Sequence, residues 1–321
     1  MSEAVMTNES VCPIETPLKQ TWKRLKKQRF ALSSLFVCML FLAISILAEI
    51  YSIVCQRNGT EAVYEKVCHE DRNLPPSEKY WCGTDYLGRS VLVRAVFGIK
   101  TAVKVGIIAS LISATIGVLL GIWAGYKGGT VDDFIVWLYS TFASMPTLLF
   151  ILAFALLVSK GFLFPPLANA FSALATLLHT ESGMLAVYLG IGLTGWVDLC
   201  RVVRAETMKL REMQYIQAAK TLGAGDFRIV FHHILPNLSH LVIVYFTMRF
   251  AFAVMTEVVV SYLGFGAQSD PSWGIMISEG QQDLWRGIWW EVGTATFFMF
   301  VLVLALNLLG DALRDATDPK L

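Results

Sequence analysis

Residues equipped for chemistry are sparse in this 321-residue sequence, and none are spaced for catalysis. The six cysteines (Cys12, Cys38, Cys55, Cys68, Cys82, Cys200) lack the C-x-x-C spacing of a metal or redox site. His232 and His233 are adjacent, so on a helix they point in different directions and no metal site is expected there. No H-E-x-x-H or G-x-S-x-G occurs, nor a G-x-x-x-x-G-K-[ST] loop to cradle nucleotide phosphates. The chain is therefore not expected to be an enzyme or to carry a cofactor, and energy must come from a partner or an ion gradient. What remains are charges in apolar surroundings: Asp198 with Arg201, and Arg249 with Glu257. Charges at membrane depth are costly and face a cavity or a partner. Eight residues put Arg249 and Glu257 about 80° apart around a helix with about 12 Å of rise, so each is expected to meet a different partner. Two readings stand for them: a polar contact along a substrate route, and a structural bond to a neighbouring helix. Asp198 and Arg201, at i and i+3, read as a local ion pair at a span end.

The surroundings of those charges define the class. The chain is 55% hydrophobic and 16% charged, against about 25% charged in a soluble domain. Phe30–Ala48, Val105–Tyr126, Phe134–Ser159 and Val292–Gly310 each run 19 residues or more without Asp, Glu, Lys or Arg. A bilayer-crossing helix needs about 20 apolar residues, and open sheet edges do not survive in lipid. Gly183–Val203 and Leu238–Gly264 are less clean spans. The expected fold is an all-α integral membrane protein with six transmembrane helices and both termini cytoplasmic. Phe162–Leu178 is also uncharged, but Pro165-Pro166 breaks its start, so it is expected to be peripheral or re-entrant.

Charge bias sets the sides. Six Lys/Arg lie between Arg201 and Arg228, whereas segments 159–182 and 265–291 hold only Lys160 and Arg286. That is the positive-inside pattern for six spans, although the basic 55–104 segment runs against it. The expected division is a cytoplasmic segment 1–29, with Thr21–Phe30 either an interfacial helix or a basic flank, then a first span 30–54. An extracytoplasmic loop 55–100 follows, then a membrane core 101–321. Cys55, Cys68 and Cys82 share that loop, as a disulfide pair plus one thiol or as three thiols. The net charge of +1 and the lack of a basic block give no reason to expect nucleic acid.

The most informative stretch is the inner loop at about 205–237. A first helix around Leu210–Leu222 ends at Gly223, a natural C′ residue. Asp226 can cap a second helix, on which Phe227, Val230, Phe231 and Ile234 recur at i, i+3, i+4 and i+7 to form one apolar face. Pro236 marks the exit, and Ala218-Ala219 offers a flat patch for close approach. An apolar helix pair at the membrane surface packs on its own chain or docks a cytoplasmic partner.

Gln217-Ala218-Ala219, Gly223 and Ile234-Leu235-Pro236 resemble the EAA loop of binding-protein-dependent ABC importer permeases, with Gln217 in place of the usual Glu. Gly83-Thr84-Asp85-Tyr86-Leu87-Gly88-Arg89-Ser90 is similar to a segment of the oligopeptide, dipeptide and nickel permeases. So are Gly125–Gly129, Ser261–Gly266, Ser272-Trp273-Gly274 and Asn307–Asp315, all in order. The order resembles the C-type permease of peptide importers. The resemblance implies a permease fold with cytoplasmic coupling helices, formed by Gln217, Ala218, Ala219, Gly223, Asp226, Phe227, Phe231, Ile234 and Pro236. It also implies a second permease, two cytoplasmic ATP-binding subunits and an extracytoplasmic binding protein as partners, in a bacterial inner membrane. Peptide is the substrate it suggests, with nickel or another small solute as the alternative. An ion-coupled secondary transporter is the alternative from another class, but no internal repeat supports it.

Overall fold

The computed structural model describes residues 29–161, 165–266 and 270–317. Among these, regular structure is helical, apart from one isolated bridge between Thr84 and Ser90. In order, the helices are α1 (Arg29–Asn58), α2 (Val91–Lys127), α3 (Gly129–Ser144), α4 (Thr147–Ser159), α5 (Pro165–Leu177), α6 (Ser182–Arg211), α7 (Gln214–Thr221), α8 (Asp226–Ile229), α9 (Leu235–Tyr262), α10 (Trp273–Gly280) and α11 (Trp290–Thr317). Cys12 and residues 21–28 of the expected interfacial helix lie outside the described residues.

Among the described residues, five helices are long and apolar enough to cross a membrane: α1, α2, α6, the continuous Asp226–Tyr262 helix and α11. The expected straight span over Phe134–Ser159 is instead two helices, α3 and α4, bent by 89°. The cause is Pro146, which lacks an N–H and forces Met145 into an extended conformation (φ −87°, ψ 135°). Together the two halves remain long and apolar enough for one span. Asp132 of α3 binds Arg204 near one end of α6, Phe142 packs on Trp196, and Ile151 of α4 lies against Gly190. The pair's contacts thus follow α6 in the reverse chain direction, and the two halves taken together make a sixth candidate span. Helix α5, 13 residues long and thus about 20 Å, is too short to span. Its Phe171 and Ala175 pack with Met184 and Leu185 at the start of α6.

Helices α2 and α6 form the spine. Gly117, Gly121 and Gly125 of α2 face the backbone carbonyls of Trp196, Cys200 and Arg204 on α6. Both series advance four residues at a time in the same direction, so the helices are parallel. A Cβ added at these glycines would lie 2.9, 2.8 and 2.6 Å from those oxygens, so only glycine permits this approach. Farther along, the Ser113 hydroxyl donates to the Gly192 carbonyl (2.9 Å). Small residues drive such contacts in lipid because close approach gains dispersion energy where no hydrophobic force acts between helices.

Helix ends differ from the apolar runs. Helix α1 continues to Asn58 and α2 begins at Val91, so the non-helical loop is shorter than the 55–100 segment. Arg94 and Lys100 belong to α2 because both charges are paired inside the protein, Arg94 with Asp85 (2.8 Å) and Lys100 with Asp270 (2.7 Å). In the loop, Asp71 accepts from Lys79 and Tyr80 (2.8 Å each), and those two bonds hold its carboxyl below the ordinary value. Cys55, Cys68 and Cys82 are three free thiols. A bulky side chain at the spine must separate two backbones, and overpacking of this kind costs about 1–3 kcal/mol. Gly121→Leu is therefore expected to lower the thermal midpoint of the detergent-solubilised protein, measured by scanning fluorimetry, whereas Gly183→Ala, with open space around it and an ordinary backbone conformation, is expected to shift it much less.

Candidate functional site

Three constellations emerge, one at each end of the bundle and one between. At the first end, the 212–234 segment is fastened to the spine. Helix α7 closes in a Schellman motif: Gly223 N–H donates to Lys220 and Ala224 N–H to Ala219, with Gly223 at φ +83°. Asp226 does not cap its own helix, because Gly225 occupies that position. Its carboxylate instead accepts from the Tyr126 hydroxyl (2.8 Å) and Lys127 (3.4 Å) at the end of α2. The Gln217 amide donates to the Arg211 carbonyl (3.0 Å), one of the orphan acceptors at the end of α6. An ionised Glu at 217 has no proton for that bond.

The single apolar face expected from Phe227, Val230, Phe231 and Ile234 is divided. A π-helical turn over Val230–Ile234 brings residues five apart onto one side. Ile229 and Ile234 are consequently buried together with Ile216 and Leu238, against Leu199 and Val203 of α6. Phe227 and Phe231 stack on each other with centroids 5.6 Å apart and remain 80% and 52% exposed, beside Leu222 at 88%. Ala218 is exposed and Ala219 half-buried. Pro236 is no exit: the helix runs unbroken from Asp226 to Tyr262, with the π turn just before Pro236, where the missing N–H interrupts the ordinary ladder. His232 and His233 pack edge to face, and His233 lies beside Tyr215.

Between the ends, the α3–α4 elbow opens a cavity of about 550 Å³ lined by residues of α3, α4, α6 and α9. Asp198 pairs with Arg249 of α9 rather than with Arg201, because the guanidinium reaches it across the helix interface. Arg201 instead lies over the Tyr139 ring, 4.8 Å from its centroid. Glu257 is away from this cavity. It is 1% exposed and accepts from Ser261 (2.6 Å) and Ser272 (2.8 Å), binding α9 to the N-terminus of α10.

At the far end, Arg94 is buried among three carboxylates: Asp85 (2.8 Å), Glu279 (2.7 Å) and Glu291 (3.0 Å). Arg89 adds bonds to Asp85 (2.6 Å) and Glu279 (3.2 Å). These acids lie close enough together to hold a cation, but Arg94 already stands among them. Asp85 also accepts from the Leu87 and Arg89 amides, and the Trp290 indole donates to the Thr84 carbonyl (3.0 Å). Burial, then the Glu279 carboxylate, pushes the Tyr86 hydroxyl above its ordinary value. The Gly83–Ser90 motif is thus the knot tying the loop to α2, α10 and α11. The role of Arg94 was missed in the sequence, because its partners lie up to 197 residues away; the one local sign was an Arg four residues into a long apolar helix.

Residues 117–321 match the family described as binding-protein-dependent transport system inner membrane component. The chain belongs to this family. Residues 16–76 also match the N-terminal TM domain of oligopeptide transport permease C. The chain is 33% identical to the dipeptide transport system permease protein DppC of Bacillus subtilis, over 94% of this chain and 86% of that protein. It is 31% identical to the glutathione transport system permease protein GsiD of Pectobacterium atrosepticum, over 96% and 93%. It is 29% identical to the oligopeptide transport system permease protein OppC of B. subtilis, over 94% and 90%. A chain from inward-facing structures of the MetNI methionine ABC transporter shares the fold, with TM-score 0.50 and 16% identity, over 71% of this chain and 96% of that one. The protein is thus a multi-pass transmembrane permease of an ABC importer.

Removing one partner of a buried ion network costs about 3–5 kcal/mol, because the others are left uncompensated. Arg94→Met leaves three carboxylates without their shared cation. It is expected to abolish recovery of folded permease or to lower its thermal midpoint sharply, read by size-exclusion chromatography and scanning fluorimetry.

Proposed function

We propose that this permease forms half of a translocation pathway for peptides and couples it to ATP hydrolysis by two cytoplasmic partner subunits. The observation that carries the coupling is the double character of the α7–α8 segment. One side is anchored to α2 and α6 through Asp226, Gln217 and the buried isoleucines. The other presents Leu222, Phe227 and Phe231 uncovered. Movement of a partner seated there passes directly into the spine, where one conformation of the pore can be favoured over another. In this reading the α7–α8 end is cytoplasmic, as are both termini, and the 59–90 loop meets the substrate-binding protein outside. A second permease closes the cavity at the elbow, where Met145, Met248 and Phe252 are 44–50% exposed. Arg249 lies on the substrate route and Glu257 serves as a structural bond between α9 and α10.

Peptide as cargo is supported by relatives named for dipeptide and oligopeptide transport. Glutathione, itself a short peptide, is a second reading supported by the GsiD relatives. The test is affinity purification of the tagged permease in mild detergent, followed by uptake of labelled peptides in cells. Recovery of a second permease and P-loop ATPases, with peptide uptake that depends on them, is expected. A permease that purifies alone after crosslinking would overturn the coupling. Phe227→Asp/Phe231→Asp is expected to keep the second permease while reducing ATPase recovery and uptake at least tenfold. Gly223→Leu, which forces a side chain into the left-handed region at a cost of about 1–2 kcal/mol, is expected to lower uptake without loss of membrane insertion, followed by immunoblot of the membrane fraction.

A further inference from the structure

The cavity at the α3–α4 elbow holds more positive than negative charge. Arg201 and Arg249 reach it from α6 and α9, against the single carboxylate of Asp198. Asp198 and Arg249 satisfy each other. The Arg201 guanidinium has no carboxylate partner among the described residues; one side rests on the Tyr139 ring, and the residue lines the cavity. Arg201 lies ten residues before the end of α6, about 15 Å along the helix. Arg201 is exposed, so its guanidinium is open to a ligand that enters the cavity.

The walls sharpen the chemistry. Thr147, the first residue of α4, also lines the cavity. The opening amides of that helix have no intrahelical acceptor, and helix N-termini favour anions. Phe150 and Phe252 supply apolar surface on either side. A volume of about 550 Å³ falls within the range of small-molecule sites, about 300–1,000 Å³. Asp198 is 61% exposed, so the anion partner of Arg249 is itself open to the cavity. The arrangement therefore offers one unpaired guanidinium and an open ion pair against an aromatic wall. The complementary molecule carries a carboxylate, an ammonium group and apolar side chains.

We infer that this cavity is a carboxylate-reading site on the translocation path, in which Arg201 binds the C-terminal carboxylate of a peptide in transit. The inference rests on the peptide-importer reading above. A single guanidinium in a wide cavity suits a cargo that must also leave, because passage requires binding favourable enough to enter and weak enough to release. Arg201 is the specificity residue, and the Asp198–Arg249 pair orients beside it.

The test uses the complete importer, with both permeases, the ATPases and the binding protein, in proteoliposomes. The probes are a dipeptide and its C-terminal amide, chosen so that the binding protein holds both with equal affinity. The intact importer is expected to move the acid about tenfold faster than the amide. Arg201→Gln is expected to bring that ratio close to one, and Arg201→Lys, which keeps the charge, to retain most of it. Unchanged discrimination in Arg201→Gln, with peptide uptake intact, would overturn the carboxylate site alone. Loss of the second permease from the purified Arg201→Gln complex would also overturn it, by showing that Arg201 pairs with a partner carboxylate. Failure of the unmodified importer to move any peptide would instead remove the functional reading on which the site rests.

Discussion

Where Gly117, Gly121 and Gly125 of α2 meet the carbonyls of Trp196, Cys200 and Arg204 on α6, two backbones touch with no side chain between them. The rest of the permease is arranged around that contact. The α3–α4 pair lies along the other side of α6, joined by the Asp132–Arg204 bond. Phe250 of α9 packs against Gly106 on the same α2 helix. Helices α1 and α11 are peripheral, with only 22% of their apolar windows buried, although the first turn of α11 supplies Trp290 and Glu291 to the 59–90 end. Because α2 and α6 approach so closely, they cannot slide independently. A displacement of one end of the spine is delivered to the other.

The two ends are built by different physics. At the α7–α8 end, the interior contact is dispersion between isoleucines, supplemented by a few hydrogen bonds to helix termini. At the 59–90 end it is charge, with two arginines shared among three acids. Buried ion networks are sensitive to geometry, since each group depends on the others for solvation. Isoleucine packing is non-directional and tolerates small rotations. A fold with one stiff end and one more compliant end suits a protein proposed to receive motion at the compliant end.

Much of this was legible in the sequence. Apolar run length is a local property, so the number of crossings could be read directly, and Gly223 could be placed as a helix stop from its type alone. The elbow could not, because Phe134–Ser159 stays apolar straight through Pro146 and hydropathy carries no angle. The apolar face of α8 was misread because periodicity assumes a uniform pitch, and the π turn before Pro236 breaks that assumption between Ile229 and Ile234. Ion partners were hidden for a third reason: Asp198 has a neighbour at i+3 and a better one 51 residues away. The sequence pattern favours the near one, while folding selects the far one.

The elbow has a consequence for how the chain is assembled. Helix α3 has 16 residues and α4 has 13, so neither reaches the roughly 20 that a lipid-facing span requires. Their junction also leaves amides that lipid cannot satisfy. Both halves find their partners on α6, which is made later and follows them in the chain: Asp132 needs Arg204, Phe142 needs Trp196, and Ile151 needs Gly190. The bent form of the α3–α4 pair is therefore held by tertiary contacts with a helix that follows it in the chain.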